Sequence, residues 1–213
     1  MKNTKTTKGN YVPDKERDRK SLFASIGIAI ICLLMALMVN KMDAYQTTNV
    51  YYADIEIADY GTITVALNGT AAPKTVENFI SLAESDFYDG LTFHRIIDGF
   101  IMQGGDPNGN GTGGSGKTIV GEFYENGSQN QLSHTRGAIS MARSEEFNSA
   151  SSQFFIVHQD STDLDGKYAV FGYVSSGIEI VDAICADAEP INDNGLIAAE
   201  KQPVITNITI YEK

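Results

Sequence analysis

Leu22 to Val39 is a run of 18 residues without a charge, and Ser25 is its only hydroxyl. A core helix of a water-soluble domain carries a polar face, and this run has none. As a helix it spans about 27 Å, close to the hydrocarbon thickness of a bilayer. Lys15, Arg17, Arg19 and Lys20 precede it, against Lys41 alone just beyond it. Such a flank predicts an uncleaved single-pass anchor with its basic side in the cytoplasm. The run exceeds the usual apolar length of a signal peptide, and Met42-Asp43-Ala44 makes a poor cleavage site. The expected layout is a cytoplasmic basic tail over 1–20, a transmembrane helix over 21–40, a linker over 41–49 and a folded domain over 50–213 on the extracytoplasmic side of the cell membrane.

The charge divides in the same way. Residues 1–20 hold seven Lys/Arg and three Asp/Glu, whereas the remaining residues hold nine Lys/Arg against 24 Asp/Glu. An acidic body argues against nucleic acid as a partner, because phosphate binding needs clustered Lys and Arg. Of the two cysteines, Cys32 falls in the apolar run and Cys185 in a helix-like segment of the body. Neither a disulfide framework nor a cysteine metal site is expected. The three histidines, His94, His134 and His158, have no i, i+4 spacing, and no metal site is read from them. His94 is expected as a buried, hydrogen-bonded residue behind Arg95.

The body begins with two alternating stretches, Tyr51–Ile57 and Thr62–Leu67, separated by Asp59-Tyr60-Gly61. They predict a strand, a turn and a strand. Pro73 suits a first helical position, and Val76, Phe79, Ile80 and Ala83 follow at helical spacing. Short strand candidates come next at Leu91–Ile96, Ile101–Gln103, Ala138–Ala142, Phe154–Val157 and Ala169–Tyr173. A helix over Ile178–Ala186 and a strand over Val204–Tyr211 complete the chain. Many short strands with two helices indicate a mainly β antiparallel barrel or sandwich with helical plugs.

The run from Phe93 to Asp106 places Arg95 and Gln103 among bulky apolar residues just before a glycine-rich loop. A site that must grip an apolar ring and hydrogen-bond the amide beside it needs those residue types, and proline is the natural ligand. The chain offers no strong signal for a nucleophile, a metal or a cofactor. Gly111 to Thr118 formally matches the phosphate-binding pattern G-x-x-x-x-G-K-[ST]. That loop requires a buried strand before it and a helix from its lysine. A polar Gly/Asn-rich stretch precedes it and Ile119-Val120-Gly121 follows, so a surface loop is expected instead.

Five separated motifs, in order, resemble the cyclophilin-type peptidyl-prolyl isomerases. They are Phe93-His94-Arg95-Ile96-Ile97 with Gly99-Phe100 and Gln103-Gly104-Gly105-Asp106; Asn110-Gly111-Thr112-Gly113-Gly114; Gly137 to Ala142; Ser152-Gln153-Phe154-Phe155-Ile156; and Leu164-Asp165-Gly166-Lys167 with Val170-Phe171-Gly172. The resemblance covers about residues 51–212. It implies a closed eight-stranded antiparallel barrel capped by two helices, with the substrate groove on its outer face. It implies isomerisation of X–Pro bonds in proline-containing chains, here during folding of exported proteins, with no cofactor and no metal. By position it implies Arg95 as the catalytic arginine and Phe100, Ile101, Phe155 and Leu164 as the proline pocket. Gln103, Ala142, Arg143 and Gln153 would contact the peptide backbone, and Tyr168 would add an apolar wall.

Four positions depart from the usual family pattern. Asp98 stands in place of Pro, Asp163 in place of a pocket-rim Trp, Tyr168 in place of His and Arg143 in place of Asn. Asp163 exchanges a ring for a charge, which implies weakened binding of cyclosporin-like ligands. Asp98 and Asp163 also motivate an alternative, a non-catalytic proline-peptide-binding chaperone on the same fold. The Arg143 side chain is expected to be free to select charged substrates.

Overall fold

The structure, a computed structural model, describes residues 50–212. The expected tail, anchor and linker lie outside the described residues. Among the described residues, no helix is long and apolar enough to cross a membrane.

Eight strands and two helices follow in the order β1 (Val50–Ile57), β2 (Gly61–Asn68), α1 (Pro73–Ala83), β3 (Phe93–Ile97), β4 (Ile101–Gly104), β5 (Ala138–Met141), β6 (Phe154–Val157), β7 (Ala169–Ser176), α2 (Ile178–Asp187) and β8 (Ile205–Glu212). The strands form one antiparallel sheet in the order β3-β4-β6-β5-β7-β2-β1-β8. In the β1–β2 hairpin, Ala53 faces Val65 and Ile55 faces Ile63. All four are fully buried. The strict alternation of these two strands arises because one face meets the core and the other meets water.

The middle of the sheet obeys a different constraint. Every residue of β5 and β6 is buried. Met102, Phe154 and Ile156 join the interior core, whereas Ile101, Phe155, Val157 and Val170 form a second apolar cluster on the opposite face. β6 therefore reads as an unbroken apolar run, and β5 is broken only by the buried Ser140. The second cluster is packed by Phe100, Leu132, Leu164 and Tyr168 from surrounding loops.

α1 plugs one end of the core. Phe79 lies within 5.5 Å of the rings of Tyr88, Phe154 and Phe171. Ala72 provides no side-chain cap. The Glu122 carboxylate takes that place, accepting from the N–H of Lys74 at 3.0 Å, the N–H of Thr75 at 2.8 Å and the Thr75 hydroxyl at 2.7 Å. A carboxylate there satisfies orphan donors and opposes the helix dipole. α2 begins after Gly177, whose φ of 85° and close approach to the Thr62 carbonyl exclude a side chain. Val181, Ile184 and Cys185 form its buried side.

The barrel is not closed as expected: β3 and β8 are the two edges of the sheet. The chain before each strand meets at a single Thr92–Val204 bridge, flanked by Phe93 N–H to Pro203 O at 2.9 Å and Ile205 N–H to Leu91 O at 2.8 Å. Beyond that bridge the free edge of β3 is taken by another segment. Ile96 donates to Gly195 O at 2.8 Å and Ile197 donates to His94 O at 2.9 Å. Residues 195–197 thus occupy the donors and acceptors that β8 would need for closure.

Glu122→Ala leaves two backbone donors of α1 unpaired, and is expected to cost about 2–3 kcal/mol. Urea unfolding monitored by circular dichroism measures it; Glu122→Gln, which keeps one acceptor, should recover part of the loss.

Candidate active site

The register of three strands assembles the site. Arg95 on β3 pairs with Gln103 on β4, and Gln103 pairs with Phe155 on β6. A strand alternates its faces, so this row stands on the outer face with Ile101 one pleat away. A cavity of about 240 Å³ opens there, lined by Arg95, Ile101, Phe155, Leu164 and Tyr168 among others. Phe100, Gln103, Ala142 and Arg143 complete the lining. A second, more polar cavity of about 270 Å³ shares Gln103, Ala142 and Arg143 and adds Gln153, Ser149 and Ser151.

Arg95 is held from two sides. Its Nε donates to the Asn194 carbonyl at 2.7 Å and its Nη1 donates to Gln103 Oε1 at 3.2 Å. Gln103 Nε2 donates to Gln153 Oε1 at 2.9 Å. Gln153 Nε2 in turn donates to the carbonyls of Gly113 at 2.8 Å and Gly111 at 3.2 Å. A continuous polar relay therefore orients the guanidinium and leaves Nη2 without a partner among the described residues. Burial lowers the Arg95 pKa, yet an arginine stays charged across the accessible pH range.

The glycine loop at the end of that relay is shaped by Asp106. Its carboxylate accepts the N–H groups of Asn108 at 2.9 Å, Asn110 at 3.0 Å and Gly111 at 2.6 Å. Burial pushes the Asp106 pKa up, but those three donors outweigh it and hold the group below its ordinary value. Gly113 has no room for a Cβ against this carboxylate. The loop is not a phosphate cradle: the Gly111 and Gly113 carbonyls face Gln153, and Ile119 bridges to Ala150 instead of continuing a helix.

The apolar wall has its own support. Phe155 stacks on His134 at 5.9 Å with an interplanar angle of 16°, and Tyr168 stands edge-on to Phe155 at 5.9 Å. His134 Nδ1 lies 2.8 Å from Asp165 Oδ1, and its Nε2 lies 3.0 Å from the Ser140 hydroxyl. A carboxylate only accepts, so Nδ1 carries the proton and the Ser140 hydroxyl donates to Nε2. Burial lowers the His134 pKa, against the pull of Asp165. On the other side, His158 Nδ1 accepts the Gly99 N–H at 2.9 Å and steadies the turn that delivers Phe100.

The model of the "Cyclophilin type peptidyl-prolyl cis-trans isomerase/CLD" family matches residues 52–211, which is most of the chain. The chain belongs to the cyclophilin family. The domain is 49% identical over 123 residues to peptidyl-prolyl cis-trans isomerase B of Bacillus subtilis, covering 58% of this chain and 82% of that protein. It is 43% identical over 135 residues to a peptidyl-prolyl cis-trans isomerase of Helicobacter pylori, covering 62% and 79%. A cyclophilin-type isomerase of Cryptosporidium parvum, crystallised in the presence of the dipeptide Ala-Pro, superposes with a TM-score of 0.66 at 31% identity, covering 76% of this chain and 99% of that one.

Within this cyclophilin, nine of the ten site residues read from the sequence line the first cavity, and Gln153 lines the second. Asp163 lines neither of these two cavities. Two expectations fail. The Arg143 guanidinium is not free: it donates to the carbonyls of Lys167, Ser144 and Glu145 and packs against three rings. His94 is buried as expected but not hydrogen-bonded; neither ring nitrogen has a partner. Its backbone is fixed by β3, which leaves the ring facing the core side of the Asp106 loop. Sequence reasoning missed the Asn194 carbonyl and the Asp165–His134–Ser140 support. Asn194 lies 99 residues from Arg95, and no local pattern announces their meeting.

Burial lowers the pKa of both His94 and His134 from the ordinary 6.5. The unfolded chain therefore binds more protons below that value, so folding stability is complete above pH 6.5 and declines on acidification. Urea midpoints should fall steadily from pH 7 to pH 5, with a shallower slope in His94→Leu.

Proposed function

We propose that this protein is a membrane-anchored peptidyl-prolyl cis-trans isomerase that acts on proline-containing chains outside the cytoplasmic membrane. Isomerisation is the activity for which its curated relatives are named. The observation that carries the catalytic reading is a braced guanidinium beside an apolar cavity of about 240 Å³. Rotation about an X–Pro bond costs about 18–20 kcal/mol because it breaks amide resonance. Near the top of that barrier the proline nitrogen is pyramidal and carries a free lone pair. Arg95 donates to that lone pair more strongly than to the planar nitrogen of either ground state. Differential binding of this kind raises the rate.

The remaining groups serve that donor. Phe100, Ile101, Phe155, Leu164 and Tyr168 hold the pyrrolidine ring and exclude water, which strengthens the hydrogen bond. Gln103, Gln153 and the Ala142 backbone offer polar contacts to the peptide on either side. The Ala-Pro dipeptide used with the Cryptosporidium structure supports a prolyl ligand for the corresponding cavity. Membrane anchoring rests on Leu22–Val39 and its basic flank. Exported chains with slow X–Pro steps are the clients that this placement suggests.

Arg95→Ala should reduce catalysed exchange by about 10²–10³, the size of effect seen on deleting a preorganised donor. Exchange NMR on an X–Pro peptide reads it. A full chain that leaves exchange at its spontaneous rate would instead favour the binding-only chaperone. For the anchor, the full-length chain should sediment with membranes and resist extraction by high salt or alkaline carbonate. Added protease should reach residues 50–212 from the outer face only. Recovery in the soluble fraction would remove the anchor and leave the isomerase.

A further inference from the structure

Arg143 lines both cavities of the groove, yet its half-buried guanidinium is already engaged by the protein's own rings and carbonyls. The centre of its guanidinium lies 4.9 Å from the Phe123 ring, 5.1 Å from the Phe147 ring and 4.8 Å from the Tyr168 ring. Its Nε donates to the Lys167 carbonyl at 2.9 Å. Its Nη1 donates to the carbonyls of Ser144 at 2.8 Å and Glu145 at 3.1 Å. One planar cation thus ties together the loop after β5, the turn after Glu122 and the approach to β7.

Tyr168 is the member of this cluster that faces substrate. Its ring stands edge-on to Phe155 at 84°, and both rings line the apolar cavity. The Tyr168 hydroxyl has no hydrogen-bond partner among the described residues. Its orientation is therefore set by ring packing and by Arg143, which grips both the Tyr168 face and the carbonyl of the preceding residue. Phe123 is fully buried and stands edge-on to the exposed Phe147 at 5.3 Å, so the far side of the clamp rests on one fixed ring.

We propose that Arg143 is a positioning residue: it holds Tyr168 as the wall of the proline cavity and does not read substrate charge. The inference rests on the isomerase reading and deepens it. A guanidinium suits the task because its plane stacks on rings while its edge donates to carbonyls. The wall contacts the proline ring in ground state and transition state alike, so its loss affects affinity more than turnover.

The test uses the full chain and a short Ala-Pro peptide, with affinity from NMR titration and turnover from exchange NMR at saturation. Arg143→Ala should weaken peptide affinity about three- to tenfold, in line with the strength of a partly buried cation–π contact. Turnover at saturation should change less than about twofold. Tyr168→Ala should show a similar loss, and adding Arg143→Ala to it should bring no further loss, because the two act as one unit. Exchanging Glu for Lys before the proline should alter parent and Arg143→Ala affinities by the same factor. Multiplying losses in the double variant, parent-like affinity in Arg143→Ala, or a charge preference that disappears with Arg143 would each overturn the assignment. Arg143→Gln keeps a donor for Lys167 without the cation and carries the same test if the alanine variant unfolds. A parent chain without activity would fail the isomerase reading instead, so the two failures are distinguishable.

Discussion

Strand β6 buries both of its faces, and the groove exists because of it. Phe154 and Ile156 enter the interior, while Phe155 and Val157 belong to a second apolar cluster outside the sheet. A strand side chain cannot change faces without a register slip, which would move every neighbour as well. The interior cluster of Phe79, Phe93, Phe154 and Phe171 therefore locks Phe155 outward. The same register carries Gln103 and Arg95 into its row. Core packing and site geometry are two sides of one constraint.

The polar groups of the site are arranged so that no charge faces water-poor space alone. Arg95 reaches the protein through an amide and a carbonyl, not through a carboxylate. A carboxylate partner would satisfy the cation and weaken its pull on an incoming lone pair. Neutral acceptors fix direction and leave the charge available. Asp106 and Asp165 sit one step back. Each shapes a loop or a ring that then touches the groove. These two carboxylates thus serve as scaffolding around a cationic centre.

Much of this was readable beforehand for definite reasons. The alternation of Tyr51–Ile57 and Thr62–Leu67 follows from one wet face and one dry face. The Pro73 start and the Val76, Phe79, Ile80 and Ala83 spacing mark α1. The residues that line the cavities were legible through the family resemblance of short, contiguous motifs, which the strands then bring together: residues 95–103 turn back on themselves, and 153–155 lies beside them. The seam was less accessible. Whether β8 or residues 195–197 take the free edge of β3 depends on a competition between two distant segments for the same N–H and C=O groups. Neither has a local signature. Arg143 was misread for a related reason. An exposed-looking arginine in a polar loop gives no hint that Phe123, Phe147 and Tyr168 converge on it.

By itself the sequence determined which strands alternate and where the helices start, and the resemblance of its motifs to a family pointed to the arginine, glutamines and phenylalanines that line the two cavities. Backbone periodicity carries the first, and the family resemblance of short motifs carries the second. Only the tertiary structure decided the open β3–β8 seam, the Asn194 brace on Arg95, the unpartnered burial of His94 and the occupation of Arg143. Each depends on contacts between segments far apart in the chain. Such contacts are chosen by total packing and hydrogen-bond satisfaction, which no short stretch of residues encodes.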